Sequence, residues 1–447
     1  MYLAEITVVK PSNKRIYKAC DKLCFLSKNL YNAALYIQRQ NYRDGKSYIS
    51  ESEMSKLLRN QNNPDYYAIN TTVSIYVVKQ LDECYKSFFS LLKLKSEGKY
   101  NKKIKLPRYK DKIRGRNVAT FHSSRLIKKT YKKEGLIHLS KTNIKFKSKI
   151  PFEQIQEVKV VPKSGYYEIQ VIYKADEDKL LENSNYAAID LGLNNLATVV
   201  TAISSPMIIN GRPLKSINHH WNKRVSKLKS KLKKGRRTSK QIQTITNKRN
   251  RRVKNYLHQA SRALVDELRK LCISKVVIGS NKEWKQNINL GCHTNQNFVQ
   301  IPHQRFIEMI SYKAKLYGIE VIAAEESYTS KCSFLDDESI EKHSVYKGKR
   351  IKRGLFKSSN GIIINADVNA AYNIMKKHLG IGLCDLDSVQ VCGMPRVLKV
   401  AYGLGYKGFR MGSEANKVRN QAGKAAQTNI GVGSSFASNL NPIHLNP

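Results

Sequence analysis

Four short apolar segments between residues 184 and 330 place the tightest constraint on how this chain can fold. They read "YAAIDLGL", "LATVVTA", "KVVIGS" and "IEVIAAEE", and helical patterns alternate with them along the sequence. Strands that alternate with helices are typical of an α/β domain. The first segment contains Asp190, and a lone carboxylate in apolar surroundings is costly unless it is paired. We therefore expect partners for Asp190 elsewhere in the chain.

A second carboxylate, Asp367, lies in a similar setting. It follows three isoleucines in "GIIINADVNAAYNI", and the small residues after it would let a helix pack closely against a sheet. Asp367 could simply cap that helix, and Asp190 could be satisfied by a nearby amide or lysine. Carboxylates at the ends of strands are, however, also the oxygen ligands that Mg²⁺ uses in phosphoryl-transfer sites. The two acids together therefore favour a magnesium site.

The chain is strongly basic. It has 80 Lys and Arg against 34 Asp and Glu, which gives a formal net charge of +46. We expect such a chain to bind a polyanion. Nucleic acid is favoured over a membrane surface, because the charge is spread along the chain and is not confined to one cluster. No stretch is long and apolar enough to span a bilayer, so we expect no membrane partner.

Two segments concentrate the basic residues. "NKKIKLPRYKDKIRGR" surrounds one tyrosine with cations, a mixture that suits phosphates and a stacked base or sugar. From Trp221 to His258 there are fifteen Lys and Arg and no Asp or Glu, which predicts a helix or helical hairpin along a phosphate backbone. A solvated charged face is the usual alternative, but charge of a single sign argues against it. The candidate nucleic-acid contacts are Arg108, Tyr109, Lys110, Arg236, Arg237, Arg249, Arg251 and Arg252.

The eight cysteines are scattered, and none of them forms a CxxC pair. Neither a disulfide framework nor a zinc ribbon is therefore predicted. Cys20 and Cys24 lie about one helical turn apart and are expected to be small core residues. The cysteine pattern favours a reduced, intracellular protein.

Changes in periodicity divide the chain into parts. The segment "ISESEMSKLLRN" opens a helix with a capping box formed by Ser50 and Glu53. After about residue 100 the period changes to two, which predicts a small β-barrel with a basic face, and the first strand could return to it. We predict an α+β multidomain protein with a β-barrel (1–10 and 100–182), a helical lobe (11–99), an α/β domain (183–379, including a basic helical segment at 221–270) and a disordered tail (380–447).

The motifs resemble those of one protein family. "AAIDLGLNNLATV" and "NADVNAAYNI" are similar to the first and third catalytic motifs of the RuvC-like nuclease domain in TnpB proteins. "LPRYKDK", "NYLHQASRALVDEL" and "ESYTSKCS" also fall in the family's order, so that the resemblance covers about residues 1–378. TnpB proteins are transposon-encoded RNA-guided DNA endonucleases, similar to type V CRISPR effectors. The resemblance implies an RNase H-like catalytic domain, a wedge-type β-barrel and a helical recognition lobe.

The chain departs from the family's zinc-binding pattern. Members commonly carry two CxxC pairs between "TSKCS" and the third motif, whereas residues 333–366 contain no cysteine. We therefore expect no structural zinc. The segment 331–361, here called the insert, would then be held by packing and by contacts to nucleic acid.

The second departure concerns the third catalytic acid. The position of the usual second-motif glutamate is Gly279. Members of the wider family, including the eukaryotic Fanzors, use a relocated glutamate just before a "TS" step, which implies Glu326 in this chain. Glu325, beside it on the other side of the strand, and Glu283, on the loop after Gly279, are the alternatives.

The resemblance implies an RNA-guided DNA endonuclease with Asp190, Glu326 and Asp367 as catalytic ligands of two Mg²⁺ ions. Its partners would be a guide RNA from the transposon end and target double-stranded DNA, in the nucleoid-associated cytoplasm of a prokaryote. Two alternatives stay open. One is a nuclease-inactive RNA- and DNA-binding relic or regulator, and the other is a transposase with an RNase H fold that acts without RNA.

Overall fold

The computed structural model describes residues 1–233, 235–280, 301–386 and 394–400. Residues Met1–Leu398 form one compact unit. A second unit, Lys399–Pro447, is described only at its first two residues. Among the described residues, no helix combines the length and the apolar character that crossing a membrane requires.

The N-terminal part of the compact unit combines an antiparallel sheet with a group of helices. In chain order its elements are β1 (Tyr2–Val9), α1 (Lys14–Arg43), α2 (Glu51–Asn60), α3 (Pro64–Tyr67), α4 (Thr71–Ser96), β2 (Ala119–His122), α5 (Lys128–Glu134), β3 (Ile137–His138), β4 (Lys145–Phe146), β5 (Ile155–Lys163) and β6 (Tyr166–Lys174). The sheet has the order β1-β6-β5-β2, while β3 and β4 pair with each other. Because β1 lies beside β6, helices α1 to α4 are an insertion within the sheet's connectivity.

The helices and this sheet share one hydrophobic core. Helix α4 buries Val77, Leu81 and Tyr85 along one face, at the three- and four-residue steps of an amphipathic helix. The capping box predicted at the start of α2 is confirmed, since the Ser50 backbone N–H donates to Glu53 at 2.8 Å and Ser50 in turn caps the Glu53 N–H. The helical lobe is therefore not an independently packed domain.

The second part is built around a six-stranded mixed sheet. Its elements are β7 (Tyr186–Asp190), β8 (Asn195–Thr201), β9 (Met207–Asn210), α6 (Arg212–Lys229), α7 (Lys240–Lys270), β10 (Lys275–Gly279), α8 (His303–Lys315), β11 (Glu320–Ala324), β12 (Lys349–Lys352), β13 (Leu355–Lys357), β14 (Ile363–Asn365), α9 (Ala366–Leu379) and β15 (Arg396–Val397). The strand order is β11-β10-β7-β8-β9-β15. Strand β8 is antiparallel to both of its neighbours, β7 and β9, and β10 and β11 run parallel to β7.

Helix α9 covers the middle of this sheet and contacts β7, β8 and β10. The buried Ala370 and Ala371 give it a small face, as the sequence predicts, and this face allows a close approach to the strands. The first turn of α9 therefore lies near the end of β7.

The predicted basic segment forms two helices, α6 and α7, joined by a turn. They contact each other through a small apolar cluster of Val225, Ile242 and Ile245, with Trp221 packed against it. Because the apolar residues are few, most of the cations remain at the surface of this hairpin. We refer to α6, α7 and their turn as the basic hairpin.

The tail predicted to begin at residue 380 does not start there. Strand β15 joins the edge of the mixed sheet beside β9, where the Arg396 N–H donates to the Pro206 carbonyl at 2.9 Å. The prediction of disorder is wrong for this strand, because pairing through backbone groups needs no apolar pattern. Residues 387–393 and 401–447 of the predicted tail lie outside the described residues.

Candidate functional site

Asp190 is the last residue of β7, between β8 and β10. Its neighbour Ile189 is buried, and the Asp190 carboxyl group is enclosed although the residue keeps some surface exposure. Burial raises the pKa of Asp190 well above its ordinary value, and the negative charges of Asp367 and Glu326 raise it further. Arg350 acts in the opposite direction. Three acids thus share one neighbourhood, an arrangement that a bound cation would relieve.

Glu326 reaches this neighbourhood from the end of β11. The adjacent strand β10 ends in Gly279, which pairs with Ala324. A Cβ atom on residue 279 would lie 2.5 Å from Glu326 Oε2 and 2.6 Å from Ile374 Cδ1. The Glu326 carboxylate therefore fills the space that a side chain at position 279 would need. Burial is the larger cause of a raised pKa for Glu326, and the charge of Glu325 adds to it.

Glu325 turns the other way. Its carboxylate is exposed and lies 2.9 Å from Lys377 Nζ, in the last turn of α9. The hydrogen bond from Lys377 holds the pKa of Glu325 below its ordinary value. Consecutive residues of an extended segment point to opposite sides, and only Glu326 faces Asp190. Glu283, the remaining alternative, lies outside the described residues.

Asp367 lies in the first turn of α9 but is not the cap of this helix. Asn365 is the N-cap, since its side chain accepts hydrogen bonds from the backbone N–H groups of Asp367 and Val368 at 2.9 and 3.3 Å. The Asp367 carboxylate is therefore available for other contacts. Its Oδ2 accepts a hydrogen bond from Asn195 Nδ2 at 2.8 Å, and its Oδ1 lies 3.8 Å from Arg350.

Asn195 and Arg350 were not singled out by the sequence analysis. Asn195 follows the loop after Asp190, and this loop is held by a 3.1 Å hydrogen bond from His303 to the Gly192 carbonyl. Arg350 lies on β12 in the insert. Neither residue stands out among the many Asn, Arg and Lys residues around it, because only the fold brings each of them to Asp367.

The donor set at this edge of the sheet consists of carboxylate oxygens, which suit Mg²⁺ better than a softer metal. In the part of the chain that the structure describes, however, no three acidic, imidazole or thiol groups stand together as a ready metal site. The residues fit a magnesium ion by their chemistry and would have to draw together to bind it.

The first group of candidate nucleic-acid contacts lies along α1. The Arg39 guanidinium is 4.6 Å from the centre of the Tyr109 ring, and the Lys110 backbone N–H donates to Asn32 at 2.9 Å. Arg108 and Tyr109 are exposed. The segment is thus pinned to the helical lobe, with its cation and its aromatic ring open to solvent.

The second group lies on the basic hairpin. Arg236 and Arg237 are exposed in the turn, as a phosphate-binding role requires. Arg249 lies over the Trp221 ring at 5.2 Å, and Arg251 lies over a tyrosine ring of β6 at 5.7 Å. These two arginines also pack the hairpin, which sequence periodicity did not indicate.

Two family models match this chain. OrfB_IS605, described as a probable transposase, matches residues 166–285, and the Cas12f1-like TNB domain matches residues 303–374. The first match contains Asp190, and the second contains Glu326 and Asp367. The two matches contain the insert and every strand of the mixed sheet except β15.

Two individual proteins that are similar to this chain carry names that agree with the two family models. A TnpB-like protein, ORF457 of Acidianus two-tailed virus, is 25% identical over 403 residues, which cover 80% of this chain and 83% of the viral protein. The CRISPR-associated endodeoxyribonuclease Cas12f2 of a Micrarchaeota archaeon is 28% identical over 243 residues, which cover 48% of this chain and 41% of that protein. These findings confirm the resemblance to TnpB proteins that the motifs predicted.

Solved structures give weaker matches. A Cas12f1–sgRNA–target DNA complex is 21% identical with a TM-score of 0.38, and the match covers 49% of this chain and 45% of that one. A CRISPR–Cas12f ternary complex is 15% identical with a TM-score of 0.32, and the match covers 79% of this chain and 80% of that one.

Proposed function

We propose that this protein is a transposon-encoded, RNA-guided DNA endonuclease that cleaves phosphodiester bonds with Mg²⁺ in a RuvC-like site. The single observation that carries the proposal is the meeting of three acids from distant parts of the sequence. The charges of Glu326 and Asp367 both act on the enclosed carboxyl group of Asp190. The class of reaction is inferred from the TnpB-like protein and the endodeoxyribonuclease to which this chain is similar. A guide RNA and target double-stranded DNA would be its partners, at the nucleoid in the cytoplasm of a prokaryote.

The mixed sheet supports an RNase H-like fold for this site. Three antiparallel strands are followed by two strands parallel to the first, and the order β11-β10-β7-β8-β9 places the first strand in the centre. Asp190 ends that central strand, and α9 brings Asp367 across it. We assign the antiparallel sheet formed by 1–10 and 100–182 to the wedge domain and the helices within 11–99 to the recognition lobe.

The residues of the site would divide the work as follows. Bound Mg²⁺ ions would activate the attacking water and stabilise the leaving 3′ oxygen. Asp190, Glu326 and Asp367 would hold the ions. Asn195 fixes the orientation of the Asp367 carboxylate, and Arg350 provides a guanidinium that can contact the scissile phosphate. Because Asp190 and Glu326 are partly buried, these charges act in a medium of lower dielectric constant than bulk water.

We also propose that the insert folds without zinc. Glu338 is 3% exposed, and its carboxylate accepts hydrogen bonds from the backbone N–H groups of Ser333 at 2.7 Å and Lys347 at 2.9 Å. One buried carboxylate thus joins two loops of the insert. Phe334 stacks on Tyr372 of α9 with ring centres 4.8 Å apart. Metal analysis of the purified protein should therefore find no stoichiometric zinc, and one zinc per chain would contradict this assignment.

The test of the catalytic assignment compares three alanine variants at matched RNA loading. Glu326→Ala should abolish Mg²⁺-dependent cleavage while guided DNA binding survives. Glu325→Ala is the matched control, because it removes a neighbouring carboxylate that is paired with Lys377. Glu283→Ala tests the remaining acid. If cutting persists without Glu326 but is lost without Glu283, the third ligand has been misassigned, and if none of the acids matters, the protein is a non-cutting RNA- and DNA-binding relic or regulator.

A second measurement separates guided from unguided function. The protein should be purified from its host and the RNA that accompanies it sequenced. A single abundant RNA with a variable 3′ end is the expected result. A preparation without bound RNA that still binds transposon ends by sequence would favour a transposase and would contradict the guided reaction.

A further inference from the structure

A cavity lies between the two helices of the basic hairpin, away from the three carboxylates. Its volume is about 100 Å³, and four cations line it together with the indole ring of Trp221 and the apolar side chain of Ile245. The cations are Arg224, Lys248, Arg249 and Arg252. No Asp or Glu occurs between Trp221 and His258, so the lining has no acidic neighbour within its own segment.

Hydrogen bonds hold the walls of this cavity in place. Trp221 Nε1 donates to Thr246 Oγ1 at 3.1 Å, which fixes the indole ring. Arg249 Nε donates at 2.8 Å to Asn218, a residue that is 1% exposed. The guanidinium is thus held between a buried amide and an aromatic ring. A cation fixed in this way loses less entropy when it binds a ligand than a lysine that moves freely in solvent.

The chemistry of the lining points to an anion. Burial lowers the pKa of the Arg249 guanidinium, so a negative charge in the cavity would stabilise this side chain. A cavity of about 100 Å³ has room for a small tetrahedral anion such as a phosphate group. Planar guanidinium groups match phosphate oxygens through paired hydrogen bonds.

We infer that the cavity between α6 and α7 is a docking site for a single backbone phosphate of a bound polynucleotide. The remaining cations of the hairpin would contact phosphates from an open surface. The phosphate in the cavity would instead be surrounded by Arg224, Arg249 and Arg252. A strand that places a phosphate there is fixed in register along the hairpin. The inference deepens the proposed function and rests on it only for the source of the phosphate.

The first experiment uses inorganic phosphate and the fluorescence of Trp221. The chain has two tryptophans, so Trp284→Phe leaves Trp221 as the only one, and its emission is excited selectively over that of the tyrosines. At constant ionic strength, phosphate should change the emission with a saturable dependence on concentration. The change should be lost in an added Arg252→Gln substitution and kept in Lys229→Gln, which removes an exposed cation of α6 outside the cavity. A response that does not saturate, or that chloride reproduces, would overturn the inference.

The second experiment measures the binding of a 20-nucleotide single-stranded RNA, and of the DNA of the same sequence, over a series of salt concentrations. Arg252→Gln should weaken binding about tenfold and make the salt dependence shallower by about one ion, while Lys229→Gln should weaken it about twofold. A selective effect on RNA or on DNA identifies which of them supplies the phosphate. Equal losses in the two variants on both polymers would overturn the inference.

These outcomes are independent of cleavage. If guided cleavage fails in the wild-type protein but the two variants still differ in phosphate binding, only the proposed function is wrong. If cleavage succeeds and the variants behave alike, only the docking site is wrong. Thermal unfolding of both variants shows whether the hairpin is intact. If Arg252→Gln does not fold, the test of the docking site is whether the phosphate response of the Trp284→Phe protein saturates.

Discussion

Two regions of the molecule depart from the usual balance of acidic and basic residues, in opposite ways. One is the sheet edge, where strands β7, β10 and β11 end, and the other is the basic hairpin. At the sheet edge, three acids approach one another around the enclosed Asp190 carboxyl group. Over residues 221–258 of the hairpin, fifteen cations occur without an acid, and most of those that the structure describes are exposed. The acids are few and fixed by packed elements, whereas the cations are many and mostly carried on long side chains.

This difference determines how each region should respond to substitution. A catalytic ligand depends on position, and a displacement of about 1 Å can cost about a hundredfold in rate. A phosphate-binding surface depends on the sum of its charges, so that one cation among many contributes little. Large, all-or-none effects are therefore expected at the sheet edge, and small, additive effects at the exposed cations of the hairpin outside its cavity.

The largest effect is expected for Asp367→Asn. The substitution preserves shape but removes the charge that would hold a metal ion, and cleavage should fall by at least about a thousandfold. Asp337→Asn is the matched control. Asp337 is an exposed residue of the insert that pairs with Lys376 on α9, the helix that carries Asp367. Cleavage assays with preloaded RNA check the prediction. Comparable losses in the two variants would mean that α9 is sensitive to charge in general and not at a metal site.

The next effect is expected for Gly279→Ala. The added methyl group would meet Glu326 Oε2 and Ile374 Cδ1, so the Glu326 carboxylate must move. Cleavage should decrease about a hundredfold, with nucleic-acid binding unchanged. Gly382→Ala is the control, because a Cβ atom there meets its nearest neighbours at 3.8 Å, an ordinary contact distance. Normal cleavage by a folded Gly279→Ala protein would show that Glu326 is not needed where the structure places it.

A moderate effect is expected for Glu338→Ala, which removes the carboxylate that joins two loops of the insert. The buried Ser333 N–H would lose its acceptor at a cost of ~1–3 kcal/mol, and the partly buried Lys347 N–H would lose its acceptor at a smaller cost. Limited proteolysis should then cut the insert faster, and cleavage should fall with it because Arg350 belongs to the same segment. Glu341→Ala, at an exposed position in the insert, serves as the control. Equal protease resistance in both variants would remove Glu338 from its proposed structural role.

The smallest effects are expected for Arg236→Gln and Arg237→Gln in the turn of the hairpin. Each should weaken RNA binding about two- to threefold, and the two losses should add, because exposed charges act nearly independently. Binding should also fall steeply with salt. Neutralising Arg249, Arg251 and Arg252 together is a less clean test, since two of them pack on aromatic rings. A hundredfold loss from one turn residue would contradict the contrast between the two regions.

The amino-acid sequence by itself determined the local features of this protein. The alternation of apolar strands with helices placed Asp190 at a strand end, and the basic segment without acids predicted a helix or a helical hairpin. The capping box of Ser50 and Glu53 could also be predicted, because both partners lie within one turn. Each of these features depends on residues that are close in the chain, and such patterns can be recognised from spacing alone.

The tertiary structure decided which side chains meet. The period of a strand states that Glu325 and Glu326 point to opposite sides, but only the pairing of β11 with β10 directs Glu326 towards Asp190. Asn365 takes the role of helix cap, which leaves the Asp367 carboxylate to Asn195 and Arg350. The cap is a local contact, but Asn195 lies 172 positions from Asp367 and Arg350 lies in a different segment, so the geometry of these two contacts follows from sheet order and helix packing. Local spacing carries no information about them.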